Sequence, residues 1–539
     1  MTRISTSGAN AMLGLRCRSM LAGGITALAR PALGQNSRAS TLRFVPSANL
    51  SFTDPSISAA GVTINHGYAV FDTLYGVDAH SQPKPQMVER HDVSDNQRIW
   101  TFRLRDGLKF HDGTPVRGAD CIASIRRWGA RESFGQALIG FTDRVDAPDD
   151  GSFRILLKRP MGVVIEALAH SAPIPLFILP GRLASTDPFK PVTEIISSGP
   201  YRFVADAFVP ASHMAYQRND AYVPRDEAPE WTSGGKHCHF QRLEWSVVPD
   251  PATAAAAMQN GEVDWCEGIL LDLVSQLQKS ANVAVRNASP FGLGSVARFN
   301  FANPPFNNPA LRRIVRDAVG QVEYMRAIHG DDDQGYSTCY ASFLCVLPGV
   351  TEFRTATTGQ PNDFASLCAA VKAAGYGGGK VTVINPTDYS FMSSQGVITA
   401  DLLRKLGFDV DVEEVDFGTS IQRRVSKAPA GKGGWSVFHT SAAALSLANP
   451  AVNYFTRGPA EAGWAGWYAS PQAESLVTAW MTAPDDTSLQ AAFDAAQRLA
   501  WDDVSIVPLG LWRPKTAYRK DIVGTVQCDY ALFWNARRA

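Results

Sequence analysis

"WTFRLRDGLKFHDGTPVRGADCIASIRRW", residues 100–128, is the most regular passage in the chain, and it holds no obvious catalytic group. Trp100, Phe102 and Leu104 alternate with Thr101, Arg103 and Arg105, which is the period of a strand with one buried face. Asp106-Gly107 then supplies turn chemistry, and 108–111 reads as a second short strand before Asp112-Gly113. Asp120 is placed to cap a helix whose Cys121, Ile125 and Trp128 fall at i, i+4 and i+7, giving one apolar stripe. Hairpin, turn and helix in succession describe scaffold, so the chain's most regular feature is architectural.

Working outward, 539 residues exceed what one hydrophobic core usually holds, and two or three globular units are expected. The composition, 45% hydrophobic and 19% charged, is that of an ordinary soluble globular protein. Lys+Arg and Asp+Glu are both 51, so there is no basic footprint for nucleic acid or anionic lipid.

The N-terminus reads as an export address. Arg16 and Arg18 precede an apolar run over 20–29, and Ala32 and Gly34 stand at the −3 and −1 positions of a cut before Gln35. The run is too short to span a bilayer as a permanent helix. Arg-Cys-Arg is not a true twin arginine, which leaves the Sec or Tat route open, and either Met1 or Met12 serves as the start. Cleavage would remove Cys17 and leave seven cysteines, an odd number that forbids full pairing. "CYASFLC" is the local candidate for a disulfide, Cys339 with Cys345, in an oxidising compartment.

Further along, α and β elements intermix. Tyr68, Phe71, Leu74 and Tyr75 have helical spacing. Asp250 caps, Pro251 opens and Asn260-Gly261 closes an Ala-rich helix; Asn308 and Pro309 repeat the device before the stripe Leu311, Ile314, Val315 and Ala318. "KVTVINP" and "DVDVEEVDF" are strands around a helix over 396–405, a β-α-β unit with a parallel pair.

Motifs of chemistry are scarce. There is no Gly-x-Ser-x-Gly, His-Glu-x-x-His or Cys-x-x-Cys. "GYGGGKV" lacks the Ser or Thr of a phosphate loop, and "GDDDQG" lacks the alternation of a calcium loop. In "KHCHF", His237 and His239 share one side of an extended segment with Cys238 opposite, and two ligands without a third make no site. What stands out is aromatic surface among small residues: Trp435, His439, Trp464 and Trp467 suggest the wall of a binding cleft as much as packed strand-edge aromatics.

The 100–121 passage resembles the signature of the family 5 extracellular solute-binding proteins, the dipeptide, oligopeptide and nickel receptors of ABC importers. "SSGPYRF", "AMQNGEVDW", "FNFANPPFNNPALRRIVRDAV" and "IVPLGLWRPKTAYRKDIVG" resemble further blocks of that family in order, over nearly the whole chain. The resemblance implies an α/β fold of the type II periplasmic-binding-protein kind: two lobes, an extra subdomain in the first, and mixed sheets joined by two crossing strands near 289–301 and 505–512. The expected divisions are a signal peptide (1–34), lobe I with its inserted subdomain (35–290), lobe II (291–505) and a return to lobe I (506–539). It further implies a periplasmic monomer, neither enzyme nor holder of a cofactor or metal, that captures a small solute or peptide and delivers it to ABC permease subunits of the inner membrane. A secreted hydrolase or an interaction protein built on the same fold is the alternative.

Ligand contacts are expected from Tyr75, Trp435, His439, Asn449, Asn453 and Trp467. One departure matters. Peptide-binding relatives carry an acid in the second-lobe stretch that holds the peptide's α-amine, and the matching 439–453 here has none. Burying an ammonium without an opposite charge is costly, so either another carboxylate, such as Asp416 or Glu267, substitutes or the ligand is not a peptide, nickel or a nickel complex at His439 being one option.

Overall fold

The alternation at 100–104 buries its apolar face as expected: Trp100, Phe102 and Leu104 are all buried on the strand Ile99–Leu104. A computed structural model describes residues 38–94, 96–354, 361–388 and 390–539, so the expected signal peptide lies outside the described residues. Ile99–Leu104 lies between Val88–Val93 and Ser152–Leu157, with Thr142–Asp149 beyond, in a separate four-stranded antiparallel sheet. Phe102 stacks on Phe153 with ring centroids 4.7 Å apart.

Two local readings of this passage need correction. The helix is Gly118–Gly129 and its cap is Arg117; Asp120 sits at the third helical position, where its Oδ2 accepts from Arg117 N–H at 2.8 Å. The carboxylate therefore reaches back to the cap rather than being it. Residues 108–111 form no strand, only the bridge between Lys109 and Pro115.

The first large sheet has seven strands in the order Tyr201–Phe203, His213–Arg218, Arg242–Ser246, Thr41–Val45, Trp265–Ile269, Lys515–Arg519, Val283–Asn287. Thr41–Val45 runs parallel to both neighbours, so its C-terminal end and that of Trp265–Ile269 open on the same edge. The second sheet has six strands, Tyr336–Ser337, Val507–Trp512, Leu293–Phe299, Val437–Ala443, Val381–Pro386 and Val410–Val415. Val381–Pro386 and Val410–Val415 are parallel, as the β-α-β reading requires, although the helix between them starts earlier than expected, at Ser390–Lys405.

The chain passes between these sheets at 288–292 and returns at 513–514. The return comes later than the expected 506, because Val507–Trp512 still pairs with Leu293–Phe299. The two crossings are bonded together: Ala288 N–H donates to Pro514 O at 2.7 Å and Arg513 Nε to Pro290 O at 3.2 Å. Gly292 has φ +79°, and a Cβ there would stand 2.6 Å from Trp512 O, so only glycine lets the strands approach. The halves also touch away from the crossings, where Gly162 N–H donates to Met481 O at 3.2 Å and Phe134 meets Trp480 at 6.1 Å.

Local chemistry sets both punctuated helices. Asp250 accepts from Thr253 N–H at 2.7 Å before Pro251–Asn260, and Gly261 closes that helix at φ +71°. Asn308 accepts from Ala310 N–H at 2.9 Å before Pro309–Ala318. Among the described residues, no helix is long and apolar enough to cross a membrane.

Cys339 and Cys345 are joined as a disulfide, sequence separation 6. Closing so short a loop removes only about 2 kcal/mol of unfolded-state entropy. The Cys339→Ser, Cys345→Ser double variant should therefore lose about 2 kcal/mol in urea unfolding, with the m-value nearly unchanged.

Candidate functional site

In open α/β sheets, ligands bind beyond the carboxyl ends of parallel strands. In the first sheet that edge brings together Ser47, just past Thr41–Val45, and Glu267, on Trp265–Ile269. Glu267 is held from two sides: Ser47 N–H donates to Oε2 at 2.7 Å and Asn65 Nδ2 to Oε1 at 2.5 Å. Asn65 is fixed in turn, its Oδ1 accepting from Ala531 N–H at 2.9 Å.

Glu267 lines a cavity of about 40 Å³ together with Trp265, Ala288, Thr516, Tyr518 and the C-terminal residues Cys528 to Ala531. The cavity sits at the root of both crossings. Trp265 Nε1 donates to Thr516 Oγ1 at 3.0 Å, and the Trp265 and Tyr518 rings lie 4.8 Å apart. Asp529 accepts a short hydrogen bond from Ser289 Oγ, which itself accepts from Gly292 N–H at 2.6 Å, so the C-terminal segment is tied to the first crossing. Asp529 as a residue is partly exposed, yet its Oδ2 has no solvent contact and no hydrogen-bond partner. Burial pushes its carboxyl up to about 7, against the opposing pull of Ser289 and the Phe291 N–H.

The expected ligand contacts are not gathered into one place. Tyr75 is buried in the first core with its OH on His91 Nδ1 at 2.9 Å. Trp435 and Trp467 do meet, at 6.0 Å, within a buried cluster with Ile384 and Phe438. Trp435 Nε1 is engaged by Arg424 O at 3.0 Å. His439, one residue on from Phe438 along the same strand, is also buried; its Nε2 lies 2.7 Å from Thr399 Oγ1, and burial lowers its pKa to about 3, keeping it neutral. Asn449 accepts from Ala451 and Val452 N–H groups, and Asn453 ties Ser342 O and Phe455 N–H, so both shape the turn after the strand Val437–Ala443. Of the substitute acids, Asp416 is spent as an exposed cap on Thr419, whereas Glu267 lines the cavity.

The one group of three His, Cys, Asp or Glu side chains close enough to share an ion, among the described residues, is Cys339, Cys345 and Glu352, and its sulfurs are bonded to each other. The pair His237 and His239 gains no third ligand there. Sequence reading missed Asp529, Asn65 and Ser289; an acid inside the apolar run "CDYALFW" was the available sign of a buried carboxyl.

The profile of the bacterial extracellular solute-binding proteins, family 5 Middle, matches residues 82–463. The chain belongs to this family. A probable peptide ABC transporter periplasmic-binding protein, y4tO of Sinorhizobium fredii, is 34% identical to this family 5 protein over 91% of its chain and 92% of the relative. Two solved structures carry the same fold. AgaA from A. tumefaciens R10 in complex with agropinic acid gives a TM-score of 0.75 at 19% identity, covering 93% of this chain and 99% of that one. DppA from Helicobacter pylori in complex with the peptide STSA gives 0.74 at 20%, covering 94% and 99%. The family 5 fold is the type II, two-lobed periplasmic-binding architecture.

Proposed function

We propose that this family 5 protein is the periplasmic receptor of an ABC importer, capturing a peptide or peptide-like solute between its lobes and handing it unchanged to the permease. The observation that carries the reading is the connection of the lobes by only two short crossings, 288–292 and 513–514, bonded to each other beside a polar cavity. Two bodies joined this way hinge about the crossings, and a ligand that touches both favours the closed arrangement by its differential affinity. The name of the 34% identical relative supports a peptide as cargo. Residues 1–34 act as the export signal, and the lobes divide at the crossings, with 293–512 forming lobe II. The protein acts as a monomer without catalysis.

The test uses the chain lacking 1–34, titrated calorimetrically with a panel of di- to tetrapeptides. At least one should bind saturably and stabilise the fold by about 2.7 kcal/mol at roughly 100-fold excess over Kd. Mass spectrometry should recover that peptide intact. Cleavage of the peptide, or no binding across the panel, overturns the reading.

A further inference from the structure

A peptide held by this protein carries an ammonium whose burial needs an opposite charge beside it. The cavity at the root of the crossings has the chemistry for that. Its lining contributes two carboxyl groups, Glu267 and Asp529, the aromatic rings of Trp265, Tyr518 and Tyr530, and no Lys, Arg or His. Among the described residues neither carboxyl has an ion-pair partner, although 29 pairs form elsewhere. Asp529 Oδ2, buried and without a partner, is an acceptor left for something the protein itself does not supply.

From this arrangement the geometry points to a subsite for the primary ammonium of the ligand, gripped between Glu267 and Asp529 at the hinge. This rests on the cleft-binding reading above and adds which end of the ligand is read, and where. The match is specific. An ammonium brings three N–H donors and no acceptor, whereas the cavity offers carboxylate and hydroxyl acceptors beside aromatic faces that attract cations. A volume of about 40 Å³ admits a group or two the size of a water molecule. A quaternary ammonium brings no N–H to these acceptors, whereas –NH3+ brings three. The carboxyl that burial has raised to about 7 would be drawn back to its charged form by such a neighbour.

Position matters as much as charge. Ser289 belongs to the first crossing and Thr516 stands two residues after the second, so an occupied cavity fastens the C-terminal segment to both connections. Recognition of the amine is thereby placed at the pivot rather than on the lobe II wall.

Two probes test this separately from the cargo reading. In thermal-shift titrations at constant ionic strength, n-propylammonium chloride should stabilise the wild-type chain saturably, and tetramethylammonium should not. The Glu267→Gln, Asp529→Asn double variant should lose the propylammonium effect while keeping its fold; each single variant provides the same readout if the double variant expresses poorly. In calorimetry, N-acetylation of a bound peptide should weaken it at least tenfold for the wild type and leave the double variant indifferent. No propylammonium effect in the wild type, or an undiminished effect in the variants, overturns the subsite even if peptides bind. Propylammonium binding with no peptide binding upholds the subsite and overturns the peptide reading instead.

Discussion

Arg298→Ala should lose about 3–5 kcal/mol of stability, seen as a lower urea midpoint at nearly unchanged slope. Arg298 lies on the strand that continues the first crossing, and is 1% exposed. Among the described residues no carboxylate pairs with it. Its Nε donates to Ala465 O at 3.0 Å, and its Nη1 to Phe455 O at 2.7 Å and Ser505 O at 2.6 Å. The rings of Phe301 and Trp464 stand 5.1 and 5.5 Å from its Cζ. Burial lowers its pKa to about 9, which still leaves it protonated at neutral pH. Three loops thus converge on one guanidinium, and alanine would orphan three buried carbonyls and open a cavity. Arg298→Met fills the space without the donors, so the difference between the variants separates the cavity cost from the lost hydrogen bonds. If both variants unfold at the wild-type midpoint, the carbonyls have found other partners and the account fails.

Which parts of this molecule were legible in its sequence follows from the range of the forces involved. Asp250-Pro251 and Asn308-Pro309 announce helices because a cap is satisfied within three residues, and the structure honours both. The alternation at Trp100, Phe102 and Leu104 reports one face of one strand, again a local matter. The spacing of Tyr68, Phe71, Leu74 and Tyr75 misleads: all four are buried, but the helix Gly61–Val70 ends before Phe71. A distant segment enforces that ending, since Gly199 N–H bonds Val70 O at 2.9 Å and a Cβ on Gly199 would stand 2.4 Å from that carbonyl. Likewise the expected helix over 396–405 begins earlier, at Ser390–Lys405, with Phe391 packed 5.1 Å from Trp512 of a strand more than a hundred residues on.

The candidate site was the least legible part. Ser47, Asn65, Glu267, Ser289, Thr516 and Asp529 come from six separate segments, so no spacing relates them. Glu267 was singled out for its charge alone, and the aromatic residues around Trp435, chosen for their glycine-rich neighbourhood, form a packed cluster. Composition marks residues that differ from their surroundings; it does not say whether they face a cleft or one another.

Asp529→Asn should stabilise the ligand-free protein, and the gain should appear as pH rises. The carboxyl sits at about 7 in the folded chain against 3.8 for an ordinary aspartate. Between those values the folded state holds a proton that the unfolded state has released, so stability falls as pH climbs through the window and the full cost is reached above pH 7. A shift of this size corresponds to about 4 kcal/mol at most, which relaxation of the pair with Ser289 will reduce. Asparagine keeps an acceptor for Ser289 Oγ and never ionises. Its advantage should be near zero at pH 4 and about 2–4 kcal/mol at pH 8. The groups around Asp529 do not compete in this window: Ser289 on the crossing carries no charge, and burial pushes Tyr518, Cys528 and Tyr530 up, away from neutrality. Glu267 shares the cavity, so Glu267→Gln measured alongside tests whether the gain belongs to Asp529 alone. Urea unfolding at pH 4, 6 and 8 decides the matter, and a gain that is flat with pH would show that Asp529 is not the titrating group. A wild-type chain less stable than its neutral variant above pH 7 keeps a carboxylate at its hinge at a thermodynamic cost.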